Sequence, residues 1–125
     1  MTTEPPPPAP APRLGVLIDE DLDPALAGAL AGQLGPTADV SSTGARGWLG
    51  VHNGPLLDAM ADAGLGVLVT GDVRLWRERR ALLERVRIGV VLVRDPKSAT
   101  VPERVGAIAQ ATRQVTPGEL ITVPV

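Results

Sequence analysis

Short, continuous apolar runs alternate with amphipathic stretches along this chain. Residues 14–18, 66–70 and 88–93 have the pattern of strands that are buried on both faces, and 38–40 and 120–123 add two weaker strand candidates. Helical spacing of apolar residues, bounded by Pro and Gly, predicts helices over 22–34, 55–64, 73–86 and 101–112. Strand–helix units of this length imply parallel pairing with right-handed crossovers. The pattern therefore predicts an α/β fold, a three-layer α/β/α sandwich whose mostly parallel sheet has about five strands.

Two segments fall outside this alternation. Residues 1–12 contain prolines at positions 5–8, 10 and 12, which predicts a disordered Pro-rich tail ahead of one folded domain over 13–125. A Pro-rich docking ligand is the alternative for this tail. Residues 41–54, rich in Ser, Gly, Thr and Asn, predict a loop of functional length.

Composition excludes several classes of function. The chain has no cysteine, so disulfides and thiolate metal sites are absent, and its net charge of −2 gives no global attraction to nucleic acid or membranes. Trp48 and Trp76 are the only aromatic residues, which argues against modules that read single strands by stacking bases on aromatic platforms. No apolar run reaches the roughly 18 residues of a membrane span, and no signal peptide is evident, so we expect a cytoplasmic protein without a membrane partner.

Acidic residues follow two of the predicted strands. Asp19, Glu20 and Asp21 come directly after the first strand, and Asp72 follows the strand that ends at Thr70. The carboxyl ends of parallel strands are where α/β sheets bind ligands, and carboxylate oxygens suit Mg²⁺ or Mn²⁺. We therefore expect Asp19 and Asp72 to bind the cation with help from Glu20, while Asp21 serves the helix that follows. The alternative is that these acids only cap helix N-termini.

Arginines are concentrated in the helix predicted after Asp72. Arg74, Arg77 and Arg80 are spaced to share one face of that helix, where guanidinium groups could bind phosphates bidentately. The alternative is a solvated face with internal Glu–Arg pairs. His52 is the only histidine, so neither a zinc cluster nor a His-based triad can be assembled around it.

The motifs at these positions resemble those of the PIN-like proteins often described as toxin components. Residues 16–22 (VLIDEDL) resemble the opening strand motif of that family, 47–53 with 56–61 the second motif, 67–72 (VLVTGD) the third, and 89–94 the strand that follows. The resemblance spans about residues 14–112. It implies a PIN-like α/β/α domain, an endoribonuclease activity that depends on Mg²⁺ or Mn²⁺, and an antitoxin protein as partner. It is also compatible with a homodimer.

The chain departs from the family pattern in its second and third motifs. Asn53 stands where the family usually has an acid, and Arg74 stands where another acid often follows. An amide can orient a water molecule but contributes no negative charge. The leading hypothesis is an endoribonuclease toxin in which Asp19, Asp72 and Asn53 are catalytic. The alternatives are a catalytically reduced PIN-like module that binds protein or RNA, and a phosphoacceptor receiver domain that uses Asp72 and Lys97.

Overall fold

The computed structural model describes residues 13–124, and the predicted tail over 1–12 lies outside this range. The elements in chain order are β1 (Leu14–Ile18), α1 (Ala25–Leu34), β2 (Ala38–Ser42), α2 (Asn53–Asp62), β3 (Val67–Thr70), α3 (Val73–Glu78), α4 (Arg80–Val86), β4 (Gly89–Val93), α5 (Pro102–Gln114) and β5 (Leu120–Val123). A short 3₁₀ turn, Pro96–Ser98, lies between β4 and α5.

The five strands form one parallel sheet in the order β2-β1-β3-β4-β5. β1 lies between β2 and β3, so that Val16 is in register with Val40 on one side and Val67 on the other. In this doubly wound order the chain runs outward in one direction from β1 to β2 and in the other from β3 to β5. The switch point, where such folds bind their ligands, therefore lies between β1 and β3.

Helices cover both faces of the sheet. α1 and α5 pack on one face, where Leu26 and Ile108 meet Val16 and Val69, while α2, α3 and α4 pack on the other face around Leu17. Because successive strand residues point to opposite faces and both faces are covered, every position of a central strand favours an apolar side chain. This confirms the predicted three-layer α/β/α sandwich and explains its continuous apolar strands.

Several boundaries differ from the sequence prediction, among them the start of the first helix, which was predicted at residue 22 and lies at Ala25. The single helix predicted over 73–86 is wrong, because Arg79 leaves helical geometry at φ −120° and ψ 19° and separates α3 from α4. β2 extends to Ser42 and α2 begins at Asn53, so the loop between them is shorter than predicted. Asn53 is thus the first residue of a helix rather than a loop residue.

Candidate functional site

The ends of β1 and β3 lie side by side at the switch point of the sheet. The Asp19 N–H donates to the Val69 carbonyl over 2.9 Å, which holds the residue after β1 against the end of β3. Four side chains come together here, and we call them the acidic crevice: Asp19, Asp21, Thr70 and Asp72. The two strand-end acids that the sequence indicated, Asp19 and Asp72, are thus brought together as expected.

Asp19 is the most enclosed carboxylate of the crevice, with 9% of its surface exposed. Its Oδ2 accepts a hydrogen bond of 2.7 Å from the Thr70 hydroxyl, and its Oδ1 accepts one of 2.8 Å from the Glu20 N–H. Burial raises the pKa of Asp19, as do the charges of Glu20 and Asp72, while the two hydrogen bonds oppose this increase. Asp19 is therefore fixed in orientation, and no basic side chain of residues 13–124 forms an ion pair with it.

Asp21 also belongs to the crevice, which corrects the expectation that it serves α1. Its Oδ2 accepts a hydrogen bond of 3.0 Å from the Gly71 N–H. The first turn of α1 is instead served by Asp23, whose Oδ1 accepts from the Ala25 N–H over 2.9 Å. Partial burial raises the pKa of Asp21 to about 6, with a further contribution from the negative charges of Asp19 and Asp72.

Asp72 caps a helix and also belongs to the acidic crevice. Its Oδ1 accepts a hydrogen bond of 2.9 Å from the Arg74 N–H, so it caps α3. Its own N–H donates to the Thr70 hydroxyl over 3.0 Å, and its charge raises the pKa of both Asp19 and Asp21. The Thr70 hydroxyl therefore joins Asp19 to the backbone of Asp72, a role that the residue type alone did not indicate.

Glu20 and Asn53 are placed differently from the other predicted residues. The Glu20 carboxylate accepts a hydrogen bond of 3.2 Å from the Gly50 N–H and so contacts the loop ahead of α2. Asn53, at the start of α2, makes no hydrogen bond to the acidic crevice within residues 13–124. Its neighbour Gly54 faces Arg79, whose Cζ would lie 3.9 Å from a Cβ at that position.

The crevice provides the oxygen donors that a hard divalent cation prefers. Across residues 13–124, no three Asp, Glu or His side chains converge into a complete metal cage. Mg²⁺, however, is commonly held by one or two carboxylates together with water and substrate phosphates. Asp19 and Asp72 are linked through the Thr70 hydroxyl, so a cation held by two carboxylates together with water is the arrangement that the crevice would allow.

A second feature, which we call the basic cleft, adjoins the crevice at Gly71. It has a volume of about 1120 Å³ and lies between α3 and the ends of β4 and β5. Arg77 and Arg80 line it as a pair of predicted phosphate ligands, and Arg94, which the sequence did not single out, joins them. Arg74 does not line it: its side chain is 80% exposed and its Nε lies 4.0 Å from Asp72 Oδ1. Arg77 and Arg80 thus line the same cleft although they lie in different helices, whereas Arg74 lies outside it.

The fold and its crevice define a doubly wound α/β domain with an acidic site at the switch point. Comparison with protein-family models, with curated proteins and with solved structures finds no match to this chain. Within the described part of the chain, every helix is too short or too polar to cross a bilayer.

Proposed function

We propose that this chain is a PIN-like endoribonuclease that depends on Mg²⁺ or Mn²⁺ and acts through the acidic crevice. The observation that carries the proposal is the convergence of Asp19, Asp21 and Asp72 through Thr70 and Gly71, where the repulsive charge of Asp72 adds to burial in raising the pKa of the other two acids. In the described residues the only basic side chain within 4.0 Å of these carboxylates is that of Arg74, at Asp72. A divalent cation would relieve this repulsion, because an opposite charge nearby stabilises the ionised form of each acid.

The chain's own residues would prepare the site for phosphodiester hydrolysis. Thr70 fixes one oxygen of Asp19, and the Gly71 N–H fixes one oxygen of Asp21, so both carboxylates are oriented before a ligand arrives. Asp19 and Asp72 would hold the cation, which when bound polarises a phosphate oxygen and lowers the pKa of a water. Arg77 and Arg80 would bind the phosphates beside the scissile bond. Because the motifs resemble those of PIN-like toxins, the proposed substrate is RNA in the cytoplasm and the proposed regulatory partner is an antitoxin protein.

Cleavage of a fluorescently labelled RNA in Mg²⁺, Mn²⁺ or EDTA tests this proposal. We expect cleavage with either cation, none in EDTA, and a loss of at least about 100-fold in Asp19→Asn. Asp58→Asn, which changes an exposed acid on α2, is the matched control and should cleave as the unmodified chain does. Activity that survives both EDTA and Asp19→Asn would contradict the proposal. Calorimetric titration with Mn²⁺ then reports whether Asp19→Asn removes cation binding itself.

A catalytically reduced binding module is the second candidate, and the position of Asn53 favours it. This residue carries no charge and has no hydrogen bond to the crevice within residues 13–124, so the crevice lacks the further acid that the resemblance implies. Under this reading the chain binds RNA or a protein partner without cleaving RNA at any cation concentration. Cleavage that appears only in Asn53→Asp would establish this second candidate, whereas cleavage by the unmodified chain would exclude it.

A further inference from the structure

The basic cleft combines an apolar floor with a cationic rim. Leu92 and Ile121, from the ends of β4 and β5, contribute apolar surface, while α3 forms the wall. Pockets for small molecules usually enclose about 300–1,000 Å³, so a cleft of about 1120 Å³ has room for a ligand of nucleotide size or larger. The cleft uses no side chain of the acidic crevice.

The charge of the rim favours an anion. Three arginines line the cleft, Arg77, Arg80 and Arg94, against a single acidic residue, Asp95. Asp95 Oδ2 already accepts a hydrogen bond of 2.9 Å from the Ser98 hydroxyl. Among residues 13–124 the three arginines form no ion pair, so the cleft is positive although the chain is negative overall. Guanidinium groups bind phosphate bidentately, and this arrangement is therefore suited to a phosphorylated ligand.

The indole of Trp76 also lines the cleft, which adds an aromatic surface to the cationic rim. The Arg80 guanidinium carbon lies 5.2 Å from the centre of the Trp76 ring, within the range of a cation–π contact. This contact holds a phosphate-binding group beside an aromatic ring. Nucleotides present the matching pair of groups, a flat base that stacks on aromatic rings and a phosphate that binds cations.

We propose that the basic cleft is a nucleotide-binding site. The base lies against Trp76 and the apolar floor, and the phosphate binds Arg77 and Arg94. Arg80 stays in contact with the ring of Trp76. The ligand is a free nucleoside monophosphate or one nucleotide of an RNA strand, since both present the same base and phosphate. The site shares Arg77 and Arg80 with the proposed nuclease and adds Trp76, Arg94 and the apolar floor, and binding of the nucleotide itself requires neither the carboxylates of the crevice nor a metal.

Tryptophan fluorescence provides a direct assay. Trp48→Phe leaves Trp76 as the only tryptophan, and UMP, a ten-residue oligouridylate and inorganic phosphate are titrated in EDTA. We expect saturable quenching by a uridine ligand, weakened at least 10-fold in Arg77→Gln and in Arg94→Gln. Arg85→Gln, an exposed arginine of α4 that does not line the cleft, should bind as the unmodified protein does. Calorimetry on the chain with both tryptophans should rank the ligands and variants in the same order.

The outcomes distinguish a free nucleotide from an RNA strand as the ligand, and they distinguish both from the absence of a site. Quenching by UMP identifies a free nucleotide as sufficient, and quenching by the oligonucleotide alone identifies a strand; either supports the site. The inference is overturned if neither ligand binds, if both arginine variants bind normally, or if inorganic phosphate competes as well as UMP. Asp19→Asn separates this site from the nuclease, because we expect this variant to lose cleavage and to keep the quenching by nucleotide. If the unmodified chain cleaves RNA but binds no nucleotide in the cleft, the cleft proposal is contradicted and the proposed nuclease is not.

Discussion

Replacing Thr70 with Val removes the hydroxyl that joins the two strand ends of the acidic crevice. The side chain is fully buried, and its hydroxyl donates to Asp19 Oδ2 over 2.7 Å while it accepts from the Asp72 N–H over 3.0 Å. Valine has nearly the same shape, so the substitution tests the hydrogen bonds with little change in packing. We expect it to destabilise the protein and to make its stability more sensitive to pH.

The expected loss follows from the two bonds. A hydrogen bond to an ionised acceptor contributes about 1.5–3 kcal/mol, and the partly buried Asp72 N–H left without its partner adds about 1 kcal/mol. The total of about 3 kcal/mol is a large share of the 5–15 kcal/mol typical of a domain. Because the Thr70 bond opposes the increase in the pKa of Asp19, its loss raises that pKa further. An acid with a raised pKa destabilises the fold only where it is ionised, so the loss should be larger at pH 7.5 than at pH 5.

Urea unfolding in EDTA at pH 5 and pH 7.5 measures both effects. Thr70→Ser is the first control: it keeps the hydroxyl, loses one buried methyl and should cost about 1 kcal/mol at either pH. Thr112→Val is the second control, since that buried hydroxyl bonds only the neutral Ile108 carbonyl of its own helix, over 2.7 Å. A loss below about 1 kcal/mol in Thr70→Val, or one that is equal at the two pH values, would refute the reasoning.

Further predictions concern close packing and charge. Gly15→Ala places a Cβ 2.7 Å from the Gly64 carbonyl, so urea unfolding should show a loss of at least about 2 kcal/mol, whereas Gly28→Ala, with open space in helix α1, should gain about 0.5–1 kcal/mol. Equal stabilities for the two variants would contradict this packing. With the pKa of Asp21 raised to about 6, stability in EDTA should fall as pH rises from 4 to 7, by about 1 kcal/mol once solvent screening of this exposed carboxylate is allowed for. Asp21→Asn should flatten that decline, and an unchanged slope would count against the repulsion.

The apolar pattern was sufficient to predict the layers of the fold. The runs that form β1, β3 and β4 are too apolar for strands with one solvent-exposed face, so helices on both sides of the sheet were expected. Strand order could not be predicted in this way, because nothing in a run such as residues 67–70 specifies that it pairs with β1 rather than with β2. The break at Arg79 was missed for a related reason: no Pro or Gly marks it in the sequence.

Within the candidate site, the sequence indicated residues whose position follows from a single strand. Asp19 and Asp72 were identified because each comes just after an apolar run. Asp21 was assigned to the helix that follows it and not to the crevice, since its partner, the Gly71 N–H, lies 50 residues further along the chain. Arg94 was not identified, because it reaches the basic cleft only through the pairing of β4 with β3. Such long-range contacts require the tertiary fold.

The central place of β1 in the sheet has a consequence for synthesis on the ribosome. β1 is among the first elements to emerge, but one of its two neighbours, β3, is made only at residues 67–70. Until then its Leu17 lacks the cluster that forms around Leu68 and Val90, and one side of its backbone is unpaired. Pairing across long sequence separations slows folding and leaves strand edges open to association. The stretch from β1 to β3 is therefore the part of this domain that stays incompletely paired until residues 67–70 have been made.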